Sequence, residues 1–423
     1  MGLLKTDTSA GRLVLAVIVC AGPLFALAQN NPKKPSGQGR SFPYEPKKPD
    51  TTGKRDLVGV IKHAFDKDLN QAPAGNGRKV YYSFFPVNSQ VPGGGIALVT
   101  STTAGFYLGD RANTSLSTIT FSPYVTINGR VGYTFRSNIW LNSDQWEIMG
   151  DTRFLYYPQY TWGLGGKTDE NVKLSVNYKY VRFYQSFLRR VRPYFLVGVG
   201  YHLDAHFDID TINDSTTLSK FTGYPYGTTP SEKSISSGFS LNLLYDARRN
   251  AFNPLPGFYG NVVFRVNPRF LGSTDSWKSL YIDLRRYISF SNTQQNMLAF
   301  WSFYWTALKS HTPYLDLPSI GWDPYQQRSG RGFEQNRYRG NGLLYFESEY
   351  RRDITHDGLF GFVLFTNMSS ISEPVTNEYA HLHVAAGGGL RLKFNKRSGT
   401  NISVDYGASK TYSMLYLNLG ETF

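Results

Sequence analysis

His202-Leu203-Asp204-Ala205-His206-Phe207-Asp208-Ile209-Asp210 places an ionisable side chain at every even position and an apolar one at every odd position. An extended strand turns successive side chains to opposite faces, so this segment has one wet face and one greasy face. A soluble sandwich can use such a strand once. Here the alternation recurs from residue 93 to Phe423, between turns of Gly, Asn, Asp, Ser and Pro, with aromatics near strand ends at Tyr156, Tyr157, Trp301, Trp305, Tyr412 and Tyr416. In the last segment Leu415, Leu417, Leu419 and Phe423 fall on one face and Tyr416, Asn418, Gly420 and Thr422 on the other. Lipid supplies no water to an open sheet edge, so a sheet with a greasy outside must close. The pattern predicts an all-β chain forming a transmembrane antiparallel β-barrel with a polar lumen.

Fifteen segments read as strands, near 94–107, 115–127, 129–141, 145–157, 170–184, 192–210, 235–247, 258–268, 277–290, 296–308, 343–352, 358–369, 380–394, 400–409 and 412–423. Single-chain bacterial barrels have an even number. Sixteen is therefore expected, with two strands of the first half read as one, and fourteen is the fallback.

Composition agrees. The chain has 423 residues, 16% of them aromatic, which disordered chains lack. Neither the glycine period of collagen nor coiled-coil heptads occur. A helical membrane protein needs runs of about 20 apolar residues; only the N-terminus comes close, and the mean hydropathy is −0.35. Cys20 is the only cysteine, which leaves no disulfide framework.

Lys5 and Arg12 precede an apolar run from Leu13 to Leu27 that ends in Ala26-Leu27-Ala28. This order predicts a signal peptide over 1–28 and export to the bacterial outer membrane. Residues 29–55 read as a Pro/Lys-rich flexible linker. Residues 56–92 read as a short periplasmic helix from Asp56 to Phe65 with a lead-in, and 93–423 as the barrel. The net charge is +14, and beyond residue 58 it is still +9 (36 basic, 27 acidic), so the positive charge is spread. Export disfavours nucleic acid as a partner. Outer-membrane lipid and lipopolysaccharide fit better.

Motifs suggesting other chemistry do not hold. His202, Asp204, His206, Asp208 and Asp210 lie on one strand, where same-face residues stand about 7 Å apart, too far to converge on a metal. His381 and His383 are a similar pair. Gly387-Gly388-Gly389 lacks the following Lys-Ser/Thr of a phosphate loop and reads as a strand bend. No G-x-S-x-G occurs. No cofactor and no enzymatic activity are expected.

One loop carries a distinct chemistry. Arg331-Gly332-Phe333, followed by Arg337-Tyr338-Arg339-Gly340, sits between the strands ending near Leu308 and starting near Leu343, with five strands after it. A guanidinium inside a lumen must be paired, and it reads a carboxylate bidentately. By alternation Glu347 and Glu349 point inward. An Arg331–Glu349 pair is the expected anchor.

This loop motif resembles that of the bacterial surface antigen barrels of the BamA/TamA superfamily. So do Asp246-Ala247-Arg248-Arg249-Asn250 through Asn253-Pro254 and Gly257, and the terminus Asn418-Leu419-Gly420-Glu421-Thr422-Phe423. The resemblance implies that the R-G-F motif rides on a sixth extracellular loop folded back into the lumen. It also implies a partner glutamate at Glu349 and an aspartate on the next strand, where this chain has Asn367, and a C-terminal recognition signal at Asn418, Gly420 and Phe423. Residues 29–92 are too few and too Pro-rich for the periplasmic POTRA repeats such barrels carry, so a POTRA-less member is expected. The implied function is insertion or assembly of outer-membrane proteins or lipid through a lateral seam between the first strand, near Gly94, Gly95 and Ile96, and the last, ending at Phe423. Client proteins or complex subunits would be its partners. The alternative is a passive pore or a structural subunit of a larger complex.

Overall fold

The computed structural model describes residues 53–64, 81–87 and 97–423, apart from 111–112, 127–128, 213–214, 231, 249–252, 255, 291–295, 309–310, 326–328 and 397–398. The signal peptide, nearly all of the linker, and Gly94, Gly95 and Ile96 lie outside the described residues.

Sixteen strands form one antiparallel sheet: β1 (Tyr81–Val87), β2 (Ala97–Phe106), β3 (Ser117–Thr126), β4 (Val131–Leu141), β5 (Trp146–Tyr156), β6 (Leu174–Arg192), β7 (Phe195–Thr211), β8 (Ser234–Asp246), β9 (Gly257–Asn267), β10 (Trp277–Ser289), β11 (Asn296–Ala307), β12 (Gly342–Asp353), β13 (Phe360–Ile371), β14 (Leu382–Asn395), β15 (Thr400–Ser409) and β16 (Ser413–Leu419). A three-residue piece, Gln159–Thr161, adds to the edge of β6. Each strand pairs with the next in sequence, from β1 on β2 to β15 on β16. β1 and β16 approach each other, yet among the described residues no hydrogen-bonded ladder joins them.

The expected sixteen is the observed number, but the missing strand is not a fused pair. It is β1, upstream of the expected barrel start at 93, and the segment near Gly94 leads into β2 instead. Tyr-Tyr-Ser-Phe-Phe-Pro-Val hides it: the run scarcely alternates, and Pro86 lacks the N–H that a ladder uses. Proline is tolerated on an edge strand, which β1 is.

Alternation builds the wall. In β6 the even residues from Leu174 to Leu188 are buried inward, while Phe183 and Phe187 are exposed outward. Val199, Leu241, Leu364, Leu390 and Leu415 continue the apolar exterior. The segment on which this reading rests departs from it once. His202, Asp204 and His206 are buried inward, but Asp208 has φ +54 beside a register shift at Asn177/Lys179. This bulge reverses the facing. Asp208 turns out to pair with Lys179 at 2.7 Å, and Ile209 turns in.

Helix α1 (Leu57–Ala64) marks one end of the barrel. Asp56 caps it, accepting from the Gly59 N–H at 2.7 Å, while its other oxygen accepts from the Lys396 N–H at 2.8 Å. Lys54 lies 4.0 Å from Asp353. α1 is thus tied to the turns after β12 and β14. At the opposite end, residues 308–341 between β11 and β12 form the sixth loop in chain order.

Candidate functional site

The sixth loop turns back into the barrel and fills it. Tyr314, Leu317, Ile320 and Phe333 are buried with the wall residues Tyr157, Tyr178, Trp301, Trp305 and Tyr345. Other loops hold it from above: the Gly165 N–H donates to the Arg339 carbonyl at 2.7 Å, Tyr157 donates to Gln335 at 2.8 Å, and Tyr338 stacks on His383 at 3.6 Å between ring centres.

At its deepest point the chain is held by Arg331, which is 1% exposed. Its guanidinium donates to Glu347 through Nε at 3.0 Å, to Glu349 through Nη2, and to Asp405 through Nη1 at 2.6 Å. The Phe365 ring closes the other side, 3.6 Å from the guanidinium carbon. Three carboxylates from β12 and β15 therefore converge on one cation. The backbone is fixed as tightly. The Gly330 N–H donates to the Tyr345 hydroxyl at 2.9 Å and the Gly332 N–H to the Tyr416 hydroxyl at 2.7 Å. Gly332 has φ +93, and a Cβ there would lie 2.8 Å from the Ala385 Cβ and 2.9 Å from the Ala408 nitrogen. Only glycine fits. Phe333 follows, buried and 6.2 Å from the Tyr338 ring.

Asn367 does not touch the guanidinium. Its amide donates to the Arg331 carbonyl at 2.8 Å, and the carboxylate expected from the strand after Glu349 comes instead from Asp405, two strands further on. Asn367→Asp is therefore expected to loosen the loop, not tighten it. A carboxylate cannot donate to that carbonyl, and its charge would be buried. The cost is about 1–3 kcal/mol, read as a lower unfolding temperature of the folded barrel.

The anchor continues to the C-terminus. Glu349 also accepts from Arg351 Nε at 2.7 Å, and Arg351 Nη2 donates to the Phe423 carbonyl at 3.0 Å. Asp405 also binds Arg391, whose Nε donates to Glu421 at 2.8 Å. Asn418 points inward on β16, and Gly420, at φ +97, bends the chain after Leu419. Phe423 consequently leaves the outward leucine row on which alternation placed it. It lies inside, 5.3 Å from the Trp301 ring and 6.3 Å from Tyr287, away from the gap between β1 and β16.

A second anchor escaped sequence reading. Asp204 accepts from Arg265 at 2.5 Å and from Tyr184 at 2.6 Å, and Arg182, beside it, donates to the loop carbonyl of Pro324 at 2.7 Å. Alternation turns all of these inward, but nothing in the order of residues says that β6, β7 and β9 bring them together. The inward parity of Asp405 was legible in the same limited way.

No family model matches the chain and no curated protein matches it. Solved structures do. BamA from Haemophilus ducreyi lacking POTRA domains 1–3 is similar over 81% of this chain and 70% of its own, with 12% identity and TM-score 0.54. CdiB from Escherichia coli is similar over 82% and 63%, with 12% identity and TM-score 0.55. CdiB from Acinetobacter baumannii covers 81% and 65%, at 11% identity and TM-score 0.52. Identities this low speak for the fold. A sixteen-stranded sheet with its sixth loop inside and these structural neighbours gives the chain the barrel fold of BamA and CdiB.

Proposed function

We propose that this chain is an outer-membrane barrel that helps insert or assemble outer-membrane proteins, or moves lipid, through a seam between β1 and β16. The observation that carries this reading is the pair of edge strands that approach without a ladder while every other neighbour is fully paired. Unpaired edges are templates for an incoming strand. The route from Arg331 to Phe423 supports it further, because the loop in the lumen and the end of the last strand share one ionic network. The packed lumen speaks against a passive pore.

The test is a covalent staple. Cys20 is the only native cysteine, so cysteine pairs scanned between residues 81–87 and 413–419 report unambiguously in a Cys20→Ser background. Oxidising a pair that bridges the seam is expected to abolish insertion of a client barrel into liposomes, and reduction to restore it. Full activity with the staple closed overturns the reading in favour of a scaffold.

A further inference from the structure

Three strands carry tandem arginines in the half of the barrel nearest α1: Arg189-Arg190 on β6, Arg285-Arg286 on β10 and Arg351-Arg352 on β12. Adjacent residues of a strand face opposite ways. The inner member of each pair is satisfied inside the barrel. Arg190 Nε donates to the Asp144 carbonyl at 2.8 Å, Arg285 Nε to Asp283 at 3.0 Å, and Arg351 Nε to Glu349 at 2.7 Å. The outer members, Arg189, Arg286 and Arg352, have no carboxylate partner among the described residues. The Nε of Arg286 is buried with no hydrogen-bond partner.

Each outer arginine is set among aromatics. Arg189 lies 5.5 Å from the Trp146 ring, Arg286 is opposite Phe258 in the β9–β10 ladder, and Arg352 is opposite Phe362 in the β12–β13 ladder. On the outward face at this end the described strands place no Asp or Glu. A cation on a lipid-facing wall is costly unless it reaches a counter-ion, and aromatics at that depth mark the membrane interface. Phosphate is the anion that a guanidinium binds in bidentate fashion.

We propose that Arg189, Arg286 and Arg352 are three separate positions for the headgroup of an anionic glycerophospholipid, in the leaflet that meets the α1 end. A single guanidinium at each suits a headgroup with one phosphate. Neighbouring strands stand about 4.8 Å apart, so residues on β10 and β12 are about 10 Å apart and each takes its own lipid. A zwitterionic lipid brings its own ammonium to compete for its phosphate, and phosphatidylglycerol does not. The proposal rests on the transmembrane reading and not on the seam.

The full chain in neutral-detergent micelles, titrated with phosphatidylglycerol or phosphatidylcholine and counted by native mass spectrometry, tests it. The native chain is expected to retain up to three more phosphatidylglycerol molecules than the R189Q/R286Q/R352Q variant, with binding weakened about fivefold per arginine removed. Phosphatidylcholine is expected to bind both equally. Equal phosphatidylglycerol retention by the two proteins, or equal retention of the two lipids by the native chain, overturns the proposal. Heat-modified gel mobility shows that the variant is folded; if it is not, each single variant is expected to lose one lipid. A native chain that stays monomeric in water without detergent overturns the transmembrane reading itself, and one that binds detergent but shows no difference overturns only the lipid positions.

Discussion

Arg331→Ala is expected to destabilise the inserted loop by about 3–5 kcal/mol, the usual cost of leaving a buried charge without its partner. The damage is not shared evenly among the three carboxylates. Glu349 keeps Arg351 and Asp405 keeps Arg391, but Glu347 retains only the Tyr345 hydroxyl. Glu347 is therefore the orphan, and neutralising it should relieve the strain: Arg331→Ala with Glu347→Gln is expected to recover part of the loss. Three measurements report the release. Protease should cut within residues 308–341, the heat-modified gel shift should move to lower temperature, and planar-bilayer currents should grow from small and fluctuating to large. A loop that stays protease-resistant, with the gel shift unmoved, removes the anchor as the element that holds it.

That anchor was half legible beforehand, and the halves divide on physical grounds. Alternation reports which way a side chain faces. It turned Glu347 and Glu349 inward, and the chemistry of a guanidinium in a lumen asked for a carboxylate, so an Arg331–Glu349 contact could be expected. Alternation does not report which strands lie beside a loop that crosses the lumen, and Asp405 on β15 could not be told from any other inward acid. The same limit hid the meeting of Arg182, Asp204 and Arg265. Two local conformations were invisible for another reason. The bulge at Asp208 and the bend at Gly420 are left-handed backbone positions, and each flips everything after it to the other face, so Ile209 and Phe423 were assigned to the wrong side. β1 was missed because its residues are apolar with little alternation and its proline argues against a ladder. The strand count survived through the parity of closed barrels, which is a rule about the whole sheet and not about any one segment.

Phe423→Ala carries the second large effect, and it bears on how the loop and the last strand communicate. The ring is 4% exposed and packs on Trp301 and Tyr287, so truncating it costs about 3–5 kcal/mol of packing. Thr422 and Glu421 remain tied by backbone and by Arg391, but the end of the chain loses its seat inside the barrel. The last strand then has β15 as its one ladder partner and no anchor beyond Leu419. Amide exchange in β16 is expected to accelerate, while exchange in β10 and β11, against which the ring sits, changes less. Combining Phe423→Ala with Arg331→Ala decides whether these sites form one device. Two residues that act separately give losses that add to within about 0.5 kcal/mol, whereas residues in one network deviate by about 0.5–3 kcal/mol. The connection runs through Glu349 and Arg351 on one side and through Asp405, Arg391 and Glu421 on the other, so a deviation is expected, and Arg351→Met should remove most of it. Strict additivity would mean that the loop rests in the lumen without sensing the last strand, and that any opening at the β1–β16 edge proceeds without it.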